Sequence, residues 1–286
     1  MNERFITGIQ HLNVKNLLLW QEGKVIYEEH RDEDCYRNGY SATKSFTSAA
    51  FGIARDKGLV SLDEYVVDCF REELPIDVSK ELEALQLKHL LSMSIGQEKP
   101  LLMGASRPRM QEKDWVRFVL RQQPVHAPGT VFQYTNAGPY LIGILVARRA
   151  GMLLSDFLYE TLLAPLGFLY PTMEKDPLKR DFGAGGMMVT AEELLRFGIV
   201  FLNRGENLIS SDWVSLVQKE FVPGSHYGYG FWLRDDGVYL ADGKYGQFSV
   251  IMPKKHAVLA VTMDDPDPHR LLELFEKEVY PELKEV

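Results

Sequence analysis

The apolar residues of this chain change their period four times, and the places where they do so limit the architectures open to it. Residues 4–12 place Phe5, Ile6, Ile9 and Leu12 on a short helical face, and NLLLWQEGKVIYEEH then reads as two extended runs meeting at Glu22–Gly23. From about residue 60 to 210 the period is helical, through LQLKHLLSM, DWVRFVLRQ, AGPYLIGILVARRAG, SDFLYETLLAPLG and TAEELLRFGIVFLNRG. In the last of these, Thr190 followed by Glu193 predicts a capping box. After residue 225 the period switches again. HYGYGFWLRDDGVYLADGKYGQFSVIMPKKHAVLAVTMDD holds four aromatic or β-branched runs separated by DDG, DGKYG and PKKH, the pattern of an antiparallel meander. PHRLLELFEKEVYPEL then restores a helical period over 268–283. A sheet exposes apolar surface until something packs on it, so strands at both ends with helices between them predict an α+β fold: one antiparallel sheet built from both termini, flanked by helices. The expected organisation is a discontinuous α/β domain, residues 1–60 plus 211–286, and a mainly helical domain, residues 61–210, with a cleft between them.

At 286 residues the chain is long enough for that arrangement. Its 32 Lys and Arg against 40 Asp and Glu leave a net charge of −8, which offers no electrostatic footprint for nucleic acid or an anionic bilayer. No stretch approaches the roughly 18 continuous apolar residues of a membrane span. The first twenty residues interleave charged and polar groups with apolar ones, unlike a secretory signal, so the expected location is the cytoplasm. Cys35 and Cys69, the only cysteines, exclude a framework of several disulfides and are expected as buried free thiols. The histidines form no HExxH or close Cys/His cluster, so no metal is expected, and His89 within LKHLL reads as structural.

Three short motifs carry candidate chemistry. SATKSFTSAAFGIARDKG predicts a buried helix ending at Gly58, with Ser41 and Lys44 on its first turn. At i,i+3 both side chains face one cleft, which suits a serine nucleophile with an amine to take its proton. A helix-start serine beside a solvated lysine has the same spacing, so the pair alone is weak. Tyr134 and Asn136 follow APGTVFQ: the phenol suits a proton shuttle if neighbouring lysines stabilise its phenolate, and the amide suits a bond to Lys44 and to a substrate carbonyl. The same spacing recurs at Tyr36 and Asn38. Lys244–Tyr245–Gly246 precedes a predicted strand, where the lysine would depress the tyrosine pKa and bind an anion, and Gly246 would let the strand edge approach an acyl group. The Gln247 and Ser41 N–H groups are then the expected oxyanion donors. Among Phe132, Tyr227, Tyr229, Phe231, Trp232 and Phe248, Tyr227 and Phe248 are assigned to the substrate pocket and the others to packing. Gly183, Gly185 and Gly186 read as a tight rim turn.

Together these segments resemble the serine β-lactamase-like superfamily, in its class C-type branch of penicillin-binding-protein-like esterases and amide hydrolases, which includes nylon-oligomer hydrolases. The resemblance rests on YSATKSFTSAAFGIARDKGLVSLDE at 40–64, LKHLLSMSIG at 87–96, PGTVFQYTNAGPYLIG at 128–143, GAGGMMVTAEELLRFG at 183–198, YGYGFW at 227–232 and GKYGQFSVIMP at 243–253, in the family's order. It implies a β-lactamase/transpeptidase-like fold, Ser41 as the acylated nucleophile, Lys44 as its amine partner, Tyr134 as general base and acid, Asn136 as positioning amide and Lys244 as the third-motif lysine. Tyr245 departs from the threonine common in classical β-lactamases and sets a large ring where a substrate carboxylate would sit.

The expected function is therefore a serine hydrolase, without metal or cofactor, that cleaves a small ester, amide or peptide through an acyl-enzyme. The alternatives are a penicillin-binding, peptidase-like enzyme and a non-catalytic binding protein that uses the same cleft for a small ligand. Neither nucleic acid nor membrane is an expected partner, and oligomeric state is not legible in the sequence.

Overall fold

Asn2 opens the first helix, α1 (Glu3–Ile9), by accepting a hydrogen bond from the Phe5 N–H, and α1 buries Phe5 and Ile9 as their spacing predicts. The computed structural model describes residues 2–285. Strands β1 (Val14–Gln21) and β2 (Lys24–His30) form the expected hairpin, turned by Glu22 and Gly23, both at positive φ as a tight hairpin of this hand requires. A short strand β3 (Arg37–Asn38) leads into a single helical turn at Tyr40–Ala42 and then α2 (Thr43–Asp56).

The helical middle comprises the short α3 (Val66–Cys69), α4 (Lys80–Glu83) and α5 (Leu87–Leu91), then α6 (Trp115–Arg121), α7 (Ala137–Ala150) and α8 (Leu154–Leu158). Strand β4 (Met188–Val189) pairs with β3 and precedes α9 (Ala191–Leu202) and α10 (Ser211–Val217). The meander follows as β5 (Trp232–Leu233), β6 (Tyr239–Gly243), β7 (Gln247–Met252) and β8 (Ala257–Met263), and α11 (His269–Glu278) closes the chain.

The main sheet has the order β2-β1-β8-β7-β6-β5, with every neighbouring pair antiparallel, so the two ends of the sequence meet where β1 pairs with β8. Its faces have different partners. Leu17, Leu19, Leu240, Phe248 and Leu259 pack under α1 and α11 with Phe5, Leu271 and Phe275. Leu18, Ala241, Ile251, Val258 and Ala260 belong to the larger core shared with α2, α7 and α9. Strands β7 and β8 are covered on both faces and buried throughout, whereas the edge strand β2 is mostly exposed.

Helix α9 lies against β7, β8 and β1. Gly198 permits this approach, because a Cβ there would press on Ser249 and Val258, and the Ser249 hydroxyl donates to the Leu194 carbonyl at 2.8 Å. The Thr190–Glu193 capping box forms as predicted. The sheet layer thus takes in residues 191–202, which the periodicity had assigned to the helical region: an amphipathic helix looks the same in sequence whether its partner is a sheet or another helix. Both cysteines are free, but Cys35 is exposed and Cys69 half-buried, so neither is the buried thiol expected.

Phe197, fully buried on α9, stacks on Phe46 of α2 with ring centroids 4.0 Å apart and also meets Phe201 and Phe231. It joins the sheet layer to the helix that carries Ser41 and Lys44. Phe197→Ala should cost about 3–5 kcal/mol in stability, read as a lower urea midpoint with an unchanged slope; a loss under about 1 kcal/mol would show that the core closes over the gap.

Candidate active site

Helix α2 is buried on every side from Thr43 to Ala54, an uncommon setting for four hydroxyl residues and a lysine. Each of these polar groups answers a backbone carbonyl or amide of an irregular segment. Ser45 Oγ donates to the Gly230 carbonyl, Thr47 Oγ1 to that of Gly183 and Ser48 Oγ to that of Tyr229, all at 2.6 Å. Thr43 Oγ1 donates to the Tyr40 carbonyl and accepts from the Met187 N–H. Lys44 Nζ donates to the Ala184 carbonyl at 2.6 Å and to Ser41 Oγ at 2.9 Å. The helix therefore satisfies the loops at 183–187 and 228–230, and the first of them supplies a carbonyl to its amine.

Ser41 sits at the mouth of this arrangement, partly exposed. The residue before it, Tyr40, has φ +45, a conformation that side chains other than glycine rarely adopt. Two bonds hold it there: its N–H donates to Asn38 Oδ1 at 2.7 Å, and its carbonyl accepts from Thr43. The second Tyr-x-Asn segment, which looked like a chance repeat in the sequence, thus supplies the amide that shapes the serine turn.

Burial is the main cause that pulls the Lys44 pKa down to about 7; the positive charge of Arg107 adds to it, and the Asp242 carboxylate opposes it. Tyr134 moves the other way. Burial pushes its phenol well above the ordinary range, Asp242 adds to this, and the Ser41 hydroxyl, which faces the phenol, pulls against both. Lys44 Nζ lies 4.9 Å from the centre of the Tyr134 ring. Near neutral pH the pair is therefore a phenol that keeps its proton beside an amine that can lose one.

Other expected site residues lie elsewhere. Lys244 is exposed, with its Nζ 4.5 Å above the Tyr245 ring, and its bond to Tyr245 raises its pKa; among the described residues no second lysine lies over the Tyr134 ring. Asn136 does not bond Lys44, whose donors go to Ser41 and Ala184. Its Nδ2 donates instead to the Leu102 carbonyl at 2.8 Å, while its Oδ1 is buried without a partner. Phe248 points to the opposite face of the sheet, fully buried under α11 and stacked on His269, so it is core and not pocket wall. Tyr227 does join the cluster but is buried behind it, edge-on to Tyr134 and Trp232, while Trp232 stacks on Tyr134 at 5.4 Å.

The glycine that allows close approach is also a different one. A Cβ on Gly246 would meet Met263 and Pro268, on the side of α11, and the Gln247 side chain likewise donates to the Met263 carbonyl. A Cβ on Gly243 would run into the Gly39 carbonyl oxygen, so the end of β6 is what rests on the serine turn. His89 is structural as expected: its Nδ1 accepts from the Gln86 N–H in a helix cap.

The sequence matches the β-lactamase family over residues 16–274. The chain belongs to the β-lactamase family. Solved structures in this fold superpose over nearly the whole chain. A putative 6-aminohexanoate-dimer hydrolase from Bacillus anthracis has a TM-score of 0.80 at 18% identity, covering 94% of this chain and 78% of its own. A penicillin-binding protein from Bacillus halodurans gives 0.75 at 16% identity, covering 96% and 99%. EstCE1, described as a hydrolase with promiscuous acyltransferase activity, gives 0.77 at 15% identity, covering 96% and 97%. No curated protein sequence matches. At these identities the likeness establishes the β-lactamase fold, and the chemistry must be argued from the residues.

In this β-lactamase-family chain β6 rests on the serine turn because Gly243 carries no Cβ. Gly243→Ala should lower the rate at which a fluorophosphonate probe labels the protein at least tenfold while leaving the far-ultraviolet circular dichroism unchanged; an unaltered labelling rate would show that this contact does not set the position of Ser41.

Proposed function

We propose that this β-lactamase-family chain is a serine hydrolase that cleaves a small ester or amide through an acyl-enzyme, with Ser41 as nucleophile, Lys44 as the base and Tyr134 as proton donor. The observation that carries this reading is the buried Lys44 amine, 2.9 Å from Ser41 Oγ and with its pKa drawn down to about 7. A solvated lysine stays protonated at neutral pH and takes no proton; this one is poised to.

In the proposed cycle, the neutral Lys44 amine accepts the Ser41 proton as Oγ attacks the substrate carbonyl. The Ser41 N–H and a backbone N–H of the Gly243–Gln247 turn hold the oxyanion. Tyr134, which keeps its proton because its pKa is raised, hands it to the departing oxygen or nitrogen and recovers one from Lys44. Water then attacks the acyl-enzyme by the reverse sequence, restoring Ser41. Asn136 keeps one acceptor oxygen unpaired in the interior, a feature suited to positioning a substrate N–H or hydroxyl. Tyr245, edge-on to Tyr40 at 5.4 Å, walls the mouth beside the serine and disfavours the carboxylated bicycle of a penicillin.

A fluorophosphonate probe should label the folded protein once, at Ser41, and Ser41→Ala should abolish both labelling and p-nitrophenyl ester turnover. Absence of an adduct by intact-mass spectrometry, with ester and amide panels also negative, would overturn the reading. Because Lys44 must be neutral to accept a proton, kcat/KM should rise with pH along an acid limb centred near 7. Lys44 is protonated more readily in the unfolded chain than in the fold, so its contribution to stability should rise with pH across the window from about 7 to the ordinary lysine pKa and stay level on either side of it. An acid limb near the ordinary carboxylate or lysine pKa would reject Lys44 as the base.

A further inference from the structure

Between α11 and the outermost strands of the sheet lies a cavity of about 560 Å³. Its floor is apolar, formed by Trp232, Val238 and Leu240. Asp242 and His269 stand at one end, and the β5–β6 turn with Asp235 stands at the other. Because β6 rises about 3.3 Å per residue, the two ends are separated by more than 10 Å.

This cavity adjoins the proposed active site. Trp232, which forms part of its wall, is stacked on Tyr134, the ring beside Ser41. Asp242, at its near end, immediately precedes Gly243, the residue that rests on the serine turn, and its charge is felt by both Lys44 and Tyr134.

The charges of the lining specify the arm. Glu276 is paired with Arg234, and Asp236 with Lys254. Asp235 has no cationic partner among the described residues. Asp242 has only His269, whose Nε2 lies 2.9 Å from its Oδ2 and whose pKa that bond raises, so Asp242 Oδ1 is the oxygen left without a partner among the described residues. Asp235 and one oxygen of Asp242 therefore remain open in a hollow with an apolar floor, lined by four carboxylates against one arginine and two histidines, a setting that favours an aliphatic chain carrying a positive charge and disfavours an anionic one.

We propose that this cavity is a substrate subsite and that Asp242 binds an ammonium group carried on one arm of the ester or amide. The assignment deepens the hydrolase reading and rests on it. Two isosteric substrate pairs test it: p-nitrophenyl esters of three to eight acyl carbons ending in a trimethylammonium or a tert-butyl group, and acetylcholine against 3,3-dimethylbutyl acetate. The pairs place the charge on the acyl arm and on the alcohol arm in turn. The expected result is at least a tenfold preference in kcat/KM for the cation in one pair, falling to near unity in Asp242→Asn. Fluorophosphonate labelling of Ser41 in that variant confirms that it is folded.

Ratios near unity in both pairs for the native protein, with Ser41 still labelled, would overturn the subsite and leave the hydrolase intact. A preference that survives Asp242→Asn would overturn the role of Asp242. If neither labelling nor turnover occurs in the native protein, the hydrolase reading fails and takes the subsite with it.

Discussion

The burial of one amine governs this structure. An ammonium ion cannot be moved into the interior of a protein without losing several kcal/mol of hydration, and a lysine so placed relieves the cost by shedding its proton. Lys44 sits in α2 with Ser41 Oγ and the Ala184 carbonyl as its partners. Covering it takes a helix hidden on all sides, and hiding that helix takes two irregular loops whose carbonyls would be orphaned but for Thr47, Ser45 and Ser48. The sheet enters the same arrangement through α9, whose Phe197 stacks on Phe46, two residues from Lys44 on the same helix. Basicity at the site and cohesion between the layers thus come from the same packing.

The second consequence is a division of labour between Lys44 and Tyr134. With Lys244 turned out over the Tyr245 ring, Tyr134 has no second ammonium to stabilise a phenolate, and burial raises its pKa. Burial, with the charge of Arg107 added to it, takes Lys44 down. Environments that push two neighbouring groups in opposite directions allow one to accept a proton and the other to give one at the same pH. Arg107 is itself fixed by Glu174 and the Leu102 carbonyl, and Leu102 also receives the Asn136 amide, so one loop bears on both Lys44 and Asn136.

Much of this was legible in the amino-acid order because it depends on local rules. The change of period marks the strands and helices, the Glu22–Gly23 turn and the Thr190–Glu193 cap declare themselves, and the i,i+3 spacing puts Ser41 and Lys44 on one face of a turn. The sheet assembled from both termini follows from the need of each apolar strand face for a cover.

What the tertiary structure alone decided are the distances between segments far apart in sequence. Phe248 and Tyr227 have the same character in the sequence, yet one lies under α11 and the other behind Tyr134, because that depends on which face of which sheet is turned to which helix. Lys44 and Lys244 are both lysines in short motifs, but only the first is enclosed, since enclosure is a property of segments distant in sequence, here the Ala184 carbonyl and the Tyr134 ring that meet its amine. Gly243 and Gly246 both suit a close approach, and only the position of the Gly39 carbonyl shows which one the serine turn needs. Local chemistry nominated the residues; burial and long-range contact, which no spacing encodes, assigned their work.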